Sequence, residues 1–203
     1  GGQWAEAHAD GGQWAEAHAD GGERHIAAVC IGDGTLGEGA VYEAMNIASK
    51  WELPLLIVLE NNLYAQSTFH GQTLAGDIEA RAAAFGIATA RSDHWDLAHC
   101  DVAMRSAVAH VRERRTPFFL RLDTYRLNAH SKGDDDRSVE EVARYRERDA
   151  LSTMERVSLS SIEAIGGGGL AALLAEIDRR IDAAVVAAEN AAFPTIASIG
   201  QVA

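Results

Sequence analysis

Two short polar motifs, Gly32-Asp33-Gly34 and Asn61-Asn62, each follow an apolar run of the chain, and 26 residues separate them. The apolar runs at 25–31 (HIAAVCI) and 55–59 (LLIVL) have the composition of buried strands. The residues between them predict a helix that ends near Lys50. Since ligands of parallel sheets sit beyond the carboxyl ends of the strands, both motifs are expected at one ligand-binding edge.

The start of this helix has its own sequence signals. Gly32 and Gly34 allow a sharp turn and a close approach of the backbone to a ligand. Thr35 and Glu38 have the spacing of a capping box, which predicts a helix start whose free amides face an anion. The predicted buried face of the helix comprises Ala40, Ala44, Ile47 and Ala48.

The polar residues at the ends of the two strands suit a hard cation. Asp33 offers a carboxylate and Asn62 an amide oxygen, and Mg²⁺ and Ca²⁺ prefer oxygen ligands that they share with phosphate groups. Taken singly, each motif is more typical of an ordinary turn. The pair, with a strand, a helix and a strand between, favours a site for a metal-bound diphosphate.

The remaining sequence alternates as in α/β proteins, which predicts a largely parallel sheet flanked by helices and a helical C-terminal tail. A polar loop at 63–76 is expected to lead away from the site. Further predicted elements are a helix at 77–85, a strand at 86–90, a helix at 101–115 and a strand at 118–122. In the helix at 101–115, Val102, Ala109 and Val111 are the predicted core residues. Beyond residue 139 the chain is predicted to be helical, with apolar residues at helical spacing between 170 and 185.

Composition limits the classes of partner. The 203 residues carry a formal net charge of −12, which argues against nucleic acid and against an anionic membrane surface. Cys30 and Cys100 suggest no disulfide framework and favour a reducing compartment, and no apolar run is long enough for a membrane span.

The segment GDGTLGEGAVYEAMNIASKWELPLLIVLENNLYAQST resembles the thiamine diphosphate motif in the alpha subunits of 2-oxo acid dehydrogenases of the pyruvate, branched-chain and acetoin type. The resemblance continues through 120–126 (LRLDTYR) and 130–135 (HSKGDD) and covers about residues 22–203. It implies the thiamine diphosphate-binding fold. It also implies magnesium or calcium bound by Asp33, Asn62 and the carbonyl of Tyr64.

The same resemblance implies further roles. The backbone of Gly34 and Thr35 would contact the diphosphate, and His130 would reach a phosphate and the mouth of the active site. The implied reaction is oxidative decarboxylation of a small 2-oxo acid, with transfer of the acyl unit to a lipoyl group on an acyltransferase. The glutamate that activates the cofactor comes from a separate beta subunit, which implies a heterotetramer in the cytoplasm, or in the mitochondrial matrix of a eukaryote.

The chain departs from the family pattern in two places. GGQWAEAHAD occurs twice, at 1–10 and 11–20, where the family has a further portion of the cofactor site. We therefore expect 1–21 to lie outside the fold, 22–203 to form the domain, and the chain alone to be inactive. The loop at 130–137 looks shorter than the family's.

Two other functions stay open at this point. One is a transketolase-like enzyme, because that superfamily shares the aspartate and asparagine elements. The other is a truncated, non-catalytic chain that assembles with a partner.

Three further sets of residues have chemistry that could serve a function. His94, Asp96, His99 and Cys100 have metal-ligand chemistry, but a polar loop and a helix cap is the favoured interpretation. Arg112, Arg114 and Arg115 are interpreted as a helix terminus. Ser131 is interpreted as a solvated loop serine, although related loops can carry a phosphoserine.

Overall fold

The computed structural model describes residues 24–131, 133–154 and 169–194. The tandem decapeptide and most of the glycine run at 166–169 lie outside the described residues. The chain divides into two compact units at residue 150. The first contains the sheet and every residue of the proposed site.

Four parallel strands form the sheet of the first unit, in the order β1-β2-β6-β5. A two-stranded antiparallel hairpin, β3 and β4, follows β2. The strands are β1 (Ala27–Gly32), β2 (Leu55–Asn61), β3 (Tyr64–Ala65), β4 (Thr68–Phe69), β5 (Ala88–Asp93) and β6 (Phe118–Asp123). The predicted parallel α/β architecture is thus confirmed.

In the described part of the first unit, three helices lie between strands of the sheet, and a fourth follows the last strand. They are α1 (Gly39–Lys50), α2 (Ile78–Ala83), α3 (Leu97–Arg114) and α4 (Val139–Arg146), and the second unit contains α5 (Gly169–Glu189). A short 3₁₀ turn, Asp33–Gly37, separates β1 from α1.

Strand β2 lies in the middle of the core, since its side chains alternate between two apolar clusters. Ile57 and Leu59 pack in the cluster that contains Met45 of α1 and Ile78 of α2. Leu56 and Val58 pack in the cluster that contains Val111 of α3 and residues of β6. Apolar side chains on both sides explain why β2 is a continuous apolar run in the sequence.

Strand β1 was expected to be buried, and this expectation is wrong. It pairs only with β2 in the described part of the chain, and Ala27 to Cys30 are exposed. An edge strand lacks a neighbour on one side, so apolar composition alone does not bury it.

Cys30 and Cys100 are both free thiols.

The predicted buried faces of two helices need correction. In α1, Ala48 is buried as predicted, but Ala40, Ala44 and Ile47 are exposed, and Met45, which was not predicted, is buried. The small alanines matched a helical period equally well on two faces, and the larger Met45 occupies the core. In α3, Val102 and Ala109 are exposed, and the core contacts come from Val111 as predicted and from Ala107, which was not predicted.

In the second unit, α5 presents exposed apolar side chains at Leu173, Leu174, Ile177, Ile181 and Val185. They have the helical spacing that the sequence predicts. Within the described residues, no helix combines the length and apolarity that crossing a membrane requires.

Candidate functional site

The site lies at the edge of the sheet where the parallel strands end. Register pairs Gly32 of β1 with Glu60 of β2, and Asn61 of β2 with Asp123 of β6. Asp33 and Asn62 come directly after the paired ends of β1 and β2. The strand–helix–strand unit therefore brings the two polar motifs to neighbouring strand ends, as the sequence predicts.

Asp33 is a buried carboxylate, and only one of its two oxygens has a hydrogen-bond partner. The amide of Gly34 donates a hydrogen bond of 2.9 Å to Oδ1, whereas Oδ2 is buried without a hydrogen-bond partner. Burial raises the pKa of Asp33 against the opposing effects of the Gly34 amide and of His70. A buried carboxylate oxygen without a partner is costly, and a bound cation would offset that cost.

Helix α1 does not begin where the capping-box spacing predicts. The residue at its N-cap is Glu38, without a side-chain capping hydrogen bond, and the Glu38 amide donates to the Thr35 carbonyl. Gly34 and Thr35 belong to the 3₁₀ turn instead. The backbone near Asp33 is therefore a tight turn rather than the first turn of a long helix.

Asn62 shapes the turn that follows β2. Its Oδ1 accepts a hydrogen bond of 2.9 Å from the Tyr64 amide, across Leu63, which has a φ of 75°. A positive φ at leucine is uncommon and marks a locally strained backbone. This turn fixes the direction of the Asn62 side chain and of the Tyr64 backbone at the end of β2.

The segment after Asn62 was expected to lead away from the site, and this expectation is wrong. Tyr64 pairs with Phe69 in a short hairpin, and the chain then returns to the end of β1. The return places His70 Nδ1 3.9 Å from Asp33 Oδ2. Sequence reasoning missed His70. The available signal for the hairpin was the pair of β-forming segments Tyr64-Ala65 and Thr68-Phe69 on either side of two polar residues.

The hairpin packs closely on the turn that contains Asp33. A Cβ added to Gly34 would lie 2.7 Å from Cβ of Ala65. Gly32, in contrast, has a φ of −86° and no atom within 4 Å of an added Cβ. Glycine is therefore required at Gly34 by close packing.

Gly34→Ala should lower the free energy of unfolding by about 2 kcal/mol, because the new methyl group overpacks a contact that has no room. Chemical denaturation followed by circular dichroism measures the change. Gly37→Ala is the matched control, since an added Cβ there meets nothing within 4 Å. Adding Ala65→Gly to Gly34→Ala should restore part of the loss. Equal stability of Gly34→Ala and wild type would contradict the close packing.

A tyrosine pair ties the turn after β2 to helix α4. The hydroxyl groups of Tyr64 and Tyr125 each donate a 2.8 Å hydrogen bond to Glu141 Oε1. Burial and these bonds to a carboxylate raise the pKa of each tyrosine to about 12. The Arg137 guanidinium lies over both rings, 5.5 Å from the centroid of Tyr64 and 5.2 Å from that of Tyr125.

The loop after β6 carries His130 and Ser131, and both are exposed. The amide and the hydroxyl of Ser131 donate 2.8 Å hydrogen bonds to the carboxylate of Asp134. His130 lowers the pKa of Asp134 electrostatically, after the larger effect of the Ser131 hydrogen bonds. No hydrogen bond or ion pair within the described residues joins His130 to Asp33 or Asn62.

A second polar network, which the sequence did not predict, joins residues of β2, β5 and β6 near the same edge of the sheet. Asp123 Oδ1 accepts hydrogen bonds of 2.7 Å from Asn61 Nδ2 and from Arg121 Nε, and Oδ2 accepts one of 2.6 Å from Arg91 Nε. Burial alone would raise the pKa of Asp123, but these donors outweigh it and hold the pKa below its usual range. Arg121 also pairs with Glu79 at 3.2 Å.

The minor candidates occupy structural positions. His94 contacts the Asp123 carbonyl, His99 contacts the Ser92 hydroxyl, and Asp96 caps α3 by accepting from the His99 amide. No group of three or more histidine, cysteine, aspartate or glutamate side chains that could hold one metal ion occurs among these or the other described residues. Arg112 and Arg114 lie in the last turn of α3 and Arg115 is its C-cap residue, so the three arginines form a helix terminus as predicted.

Comparison with known proteins identifies the family to which this chain belongs. The model of the family described as "Dehydrogenase E1 component" matches residues 4–197. The chain belongs to this family. The resemblance seen in the two motifs is thereby confirmed, and the dehydrogenase E1 family is favoured over the transketolase-like alternative.

The curated relatives of this dehydrogenase E1 chain include pyruvate dehydrogenase E1 component alpha subunits. The protein of Rickettsia typhi is 34% identical over 174 residues, which is 84% of this chain and 53% of the relative. That of Rhizobium meliloti is 34% identical over 131 residues, or 64% of this chain and 36% of the relative. The chain thus spans about half the length, or less, of these relatives.

Among solved structures, the transketolase of Campylobacter jejuni matches with a TM-score of 0.43 and 21% identity. The match covers 49% of this chain and 15% of that one.

Proposed function

We propose that this chain contributes the metal and diphosphate half of a thiamine diphosphate site, as the alpha subunit of a 2-oxo acid dehydrogenase. The observation that supports this most is the unpartnered, buried Oδ2 of Asp33 at the end of β1, beside Asn62 at the end of β2. The family match supports the same assignment.

The residues at this edge fit the proposed group. Asp33 supplies a carboxylate, Asn62 an amide oxygen and Tyr64 a backbone carbonyl, which is the oxygen donor set that Mg²⁺ or Ca²⁺ takes. Gly34 and Thr35 would contact the diphosphate through the 3₁₀ turn. When bound, thiamine diphosphate supplies the carbanion chemistry of decarboxylation, which no protein side chain provides.

The protein's own contribution is position and electrostatics. Asp33 would balance the charge of a bound cation, while the turn at Leu63 and the bond from Tyr64 to Glu141 hold the Asn62–Tyr64 backbone in place. Pre-organised ligands of this kind avoid a reorganisation cost when the cation binds. His130, in the loop after β6, is proposed to contact a phosphate and to assist acyl transfer.

The proposed function requires partners. A beta subunit would supply the activating glutamate in a heterotetramer, a lipoyl-bearing acyltransferase would accept the acyl unit, and the substrate would be a small 2-oxo acid. We propose a cytoplasmic location, or the mitochondrial matrix in a eukaryote. The net charge of −12 disfavours nucleic acid and anionic membranes as partners.

The chain alone should release no carbon dioxide from 2-oxo acids above the background of the free cofactor. The exposed strand β1 leaves this side of the sheet open to water, and carbanion stabilisation needs a pre-organised site without bulk water. The measurement is carbon dioxide release from a panel of 2-oxo acids, with Mg²⁺ and thiamine diphosphate. Activity that appears only when a family beta subunit is added supports the proposal. Turnover by the chain alone would contradict the dependence on a partner, and inactivity of the assembled complex would favour a non-catalytic role.

His130→Ala should slow acyl transfer to a lipoyl group by at least tenfold and slow decarboxylation less. The reason is that an exposed loop histidine can reach an incoming lipoyl group without supporting the buried metal ligands. Decarboxylation is measured with an artificial electron acceptor in the assembled enzyme, and transfer is measured with lipoyl domain. His25→Ala, an exposed histidine before β1, is the control. Unchanged rates for both half-reactions would refute the role of His130.

A further inference from the structure

Two buried polar atoms face each other at the end of β1 without a hydrogen-bond partner. They are Asp33 Oδ2 and His70 Nδ1, separated by 3.9 Å. This separation is too long for a hydrogen bond. Buried polar atoms normally have hydrogen-bond partners, so two such atoms without one in the same place call for a water molecule or an ion between them.

One cation would bridge the two atoms once they move about 1 Å closer, since neighbouring octahedral ligands lie roughly 3.0 Å apart. Metal–oxygen and metal–nitrogen bonds of about 2.1 Å each set an upper limit of roughly 4.2 Å, for ligands on opposite sides of the ion. The observed 3.9 Å lies within that limit. A cation between the two atoms would supply the missing partner of both.

His70 is held in this position by its backbone. Its amide donates a 2.8 Å hydrogen bond to the Leu63 carbonyl, next to Asn62, and its carbonyl accepts from the amides of Thr73 and Leu74 at 3.0 and 2.8 Å. The histidine therefore belongs to the same rigid turn as the proposed ligands of the β2 end. A ligand fixed in this way gives a specific geometry at a small entropic cost.

We propose that His70 Nδ1 is a further ligand of the cation held by Asp33, and that it shifts the metal preference of the site toward first-row transition metals. This inference rests on the proposed metal and diphosphate site and deepens it. An all-oxygen site suits Mg²⁺, whereas an imidazole ligand strengthens binding of Mn²⁺ and, more strongly, of Co²⁺.

The direct test is pulsed electron paramagnetic resonance of Mn²⁺ bound to the chain assembled with its beta subunit, with thiamine diphosphate present. Nitrogen modulation from a coordinated imidazole is expected, and labelling all eight histidines with ¹⁵N should change it. His70→Gln should abolish the modulation, whereas His25→Gln, at an exposed histidine, should leave it intact. The wild-type measurement needs no variant, so a folding defect cannot imitate the result.

The second test is metal selectivity by calorimetry. Asparagine places an amide oxygen close to the position of Nδ1, so His70→Asn should leave Mg²⁺ affinity within about twofold and weaken Co²⁺ binding at least tenfold. Mn²⁺ binding that depends on Asp33 but shows no imidazole nitrogen would overturn the role of His70 while leaving the proposed function intact. Mn²⁺ binding to Asp33→Asn with wild-type affinity, or no Mn²⁺ binding to the assembled wild-type enzyme, would overturn the proposed site itself.

Discussion

Asp123→Asn should lower the free energy of unfolding of the chain by about 3 kcal/mol at neutral pH. The substitution keeps the side-chain volume but removes the charge that Arg121 and Arg91 share, and it disturbs the bond from Asn61. Removing one partner of a buried charge cluster leaves the other charges uncompensated in a poorly solvated place. Chemical denaturation at pH 7 gives the difference directly.

The pH dependence of this difference has a definite sign. The folded-state pKa of Asp123 is depressed, so its contribution is complete above the unfolded value of about 3.9 and is lost as the pH falls through the folded value. The stability curves of wild type and Asp123→Asn should therefore converge in acid. Asp101→Asn is the control, because the Asp101–Arg105 pair is exposed and contributes little. A constant difference between pH 7 and pH 3 would contradict the assignment.

Asp33→Ala should weaken binding of thiamine diphosphate and Mg²⁺ to the enzyme assembled with its beta subunit at least tenfold, or about 1.4 kcal/mol. The change removes the carboxylate whose Oδ2 is buried and unpartnered. The remaining oxygens of Asn62 and Tyr64 carry no charge to balance a divalent cation. Isothermal titration calorimetry of wild type and variant measures the loss.

Two further variants separate binding from folding. Asp33→Asn should bind as weakly as Asp33→Ala while remaining folded without metal, because a neutral amide costs less to bury than a carboxylate. Glu60→Ala removes an exposed carboxylate at the same edge and should leave affinity unchanged. Equal affinities for wild type and Asp33→Ala would show that Asp33 does not bind the cation.

The order of strands and helices was predictable from the sequence because each apolar run is bounded by a strong turn signal. The sequence did not reveal which apolar runs form edge strands of the sheet and which form central strands. Ala27 to Cys30 and Leu55 to Leu59 look alike in composition, yet one is exposed and the other buried. Edge and centre are decided by how many strands pair, which is a property of the whole sheet.

The same limit applies to the site. Asp33 and Asn62 were predictable because each directly follows a strand, so topology alone brings them to one edge. His70 and Asp123 were not recognised, because their contacts depend on a hairpin return and on strand register. A one-residue shift in register would turn Asp123 to the opposite face.

The metal dependence of thiamine diphosphate binding to wild-type enzyme is the most direct measure of this site. The cofactor is titrated into the chain assembled with its beta subunit, once with Mg²⁺ and once with a chelator in its place. Since Asp33 brings negative charge to the edge where the diphosphate is proposed to bind, affinity should fall at least tenfold without the metal. Equal affinity with and without Mg²⁺ would contradict a cation held between Asp33 and the diphosphate.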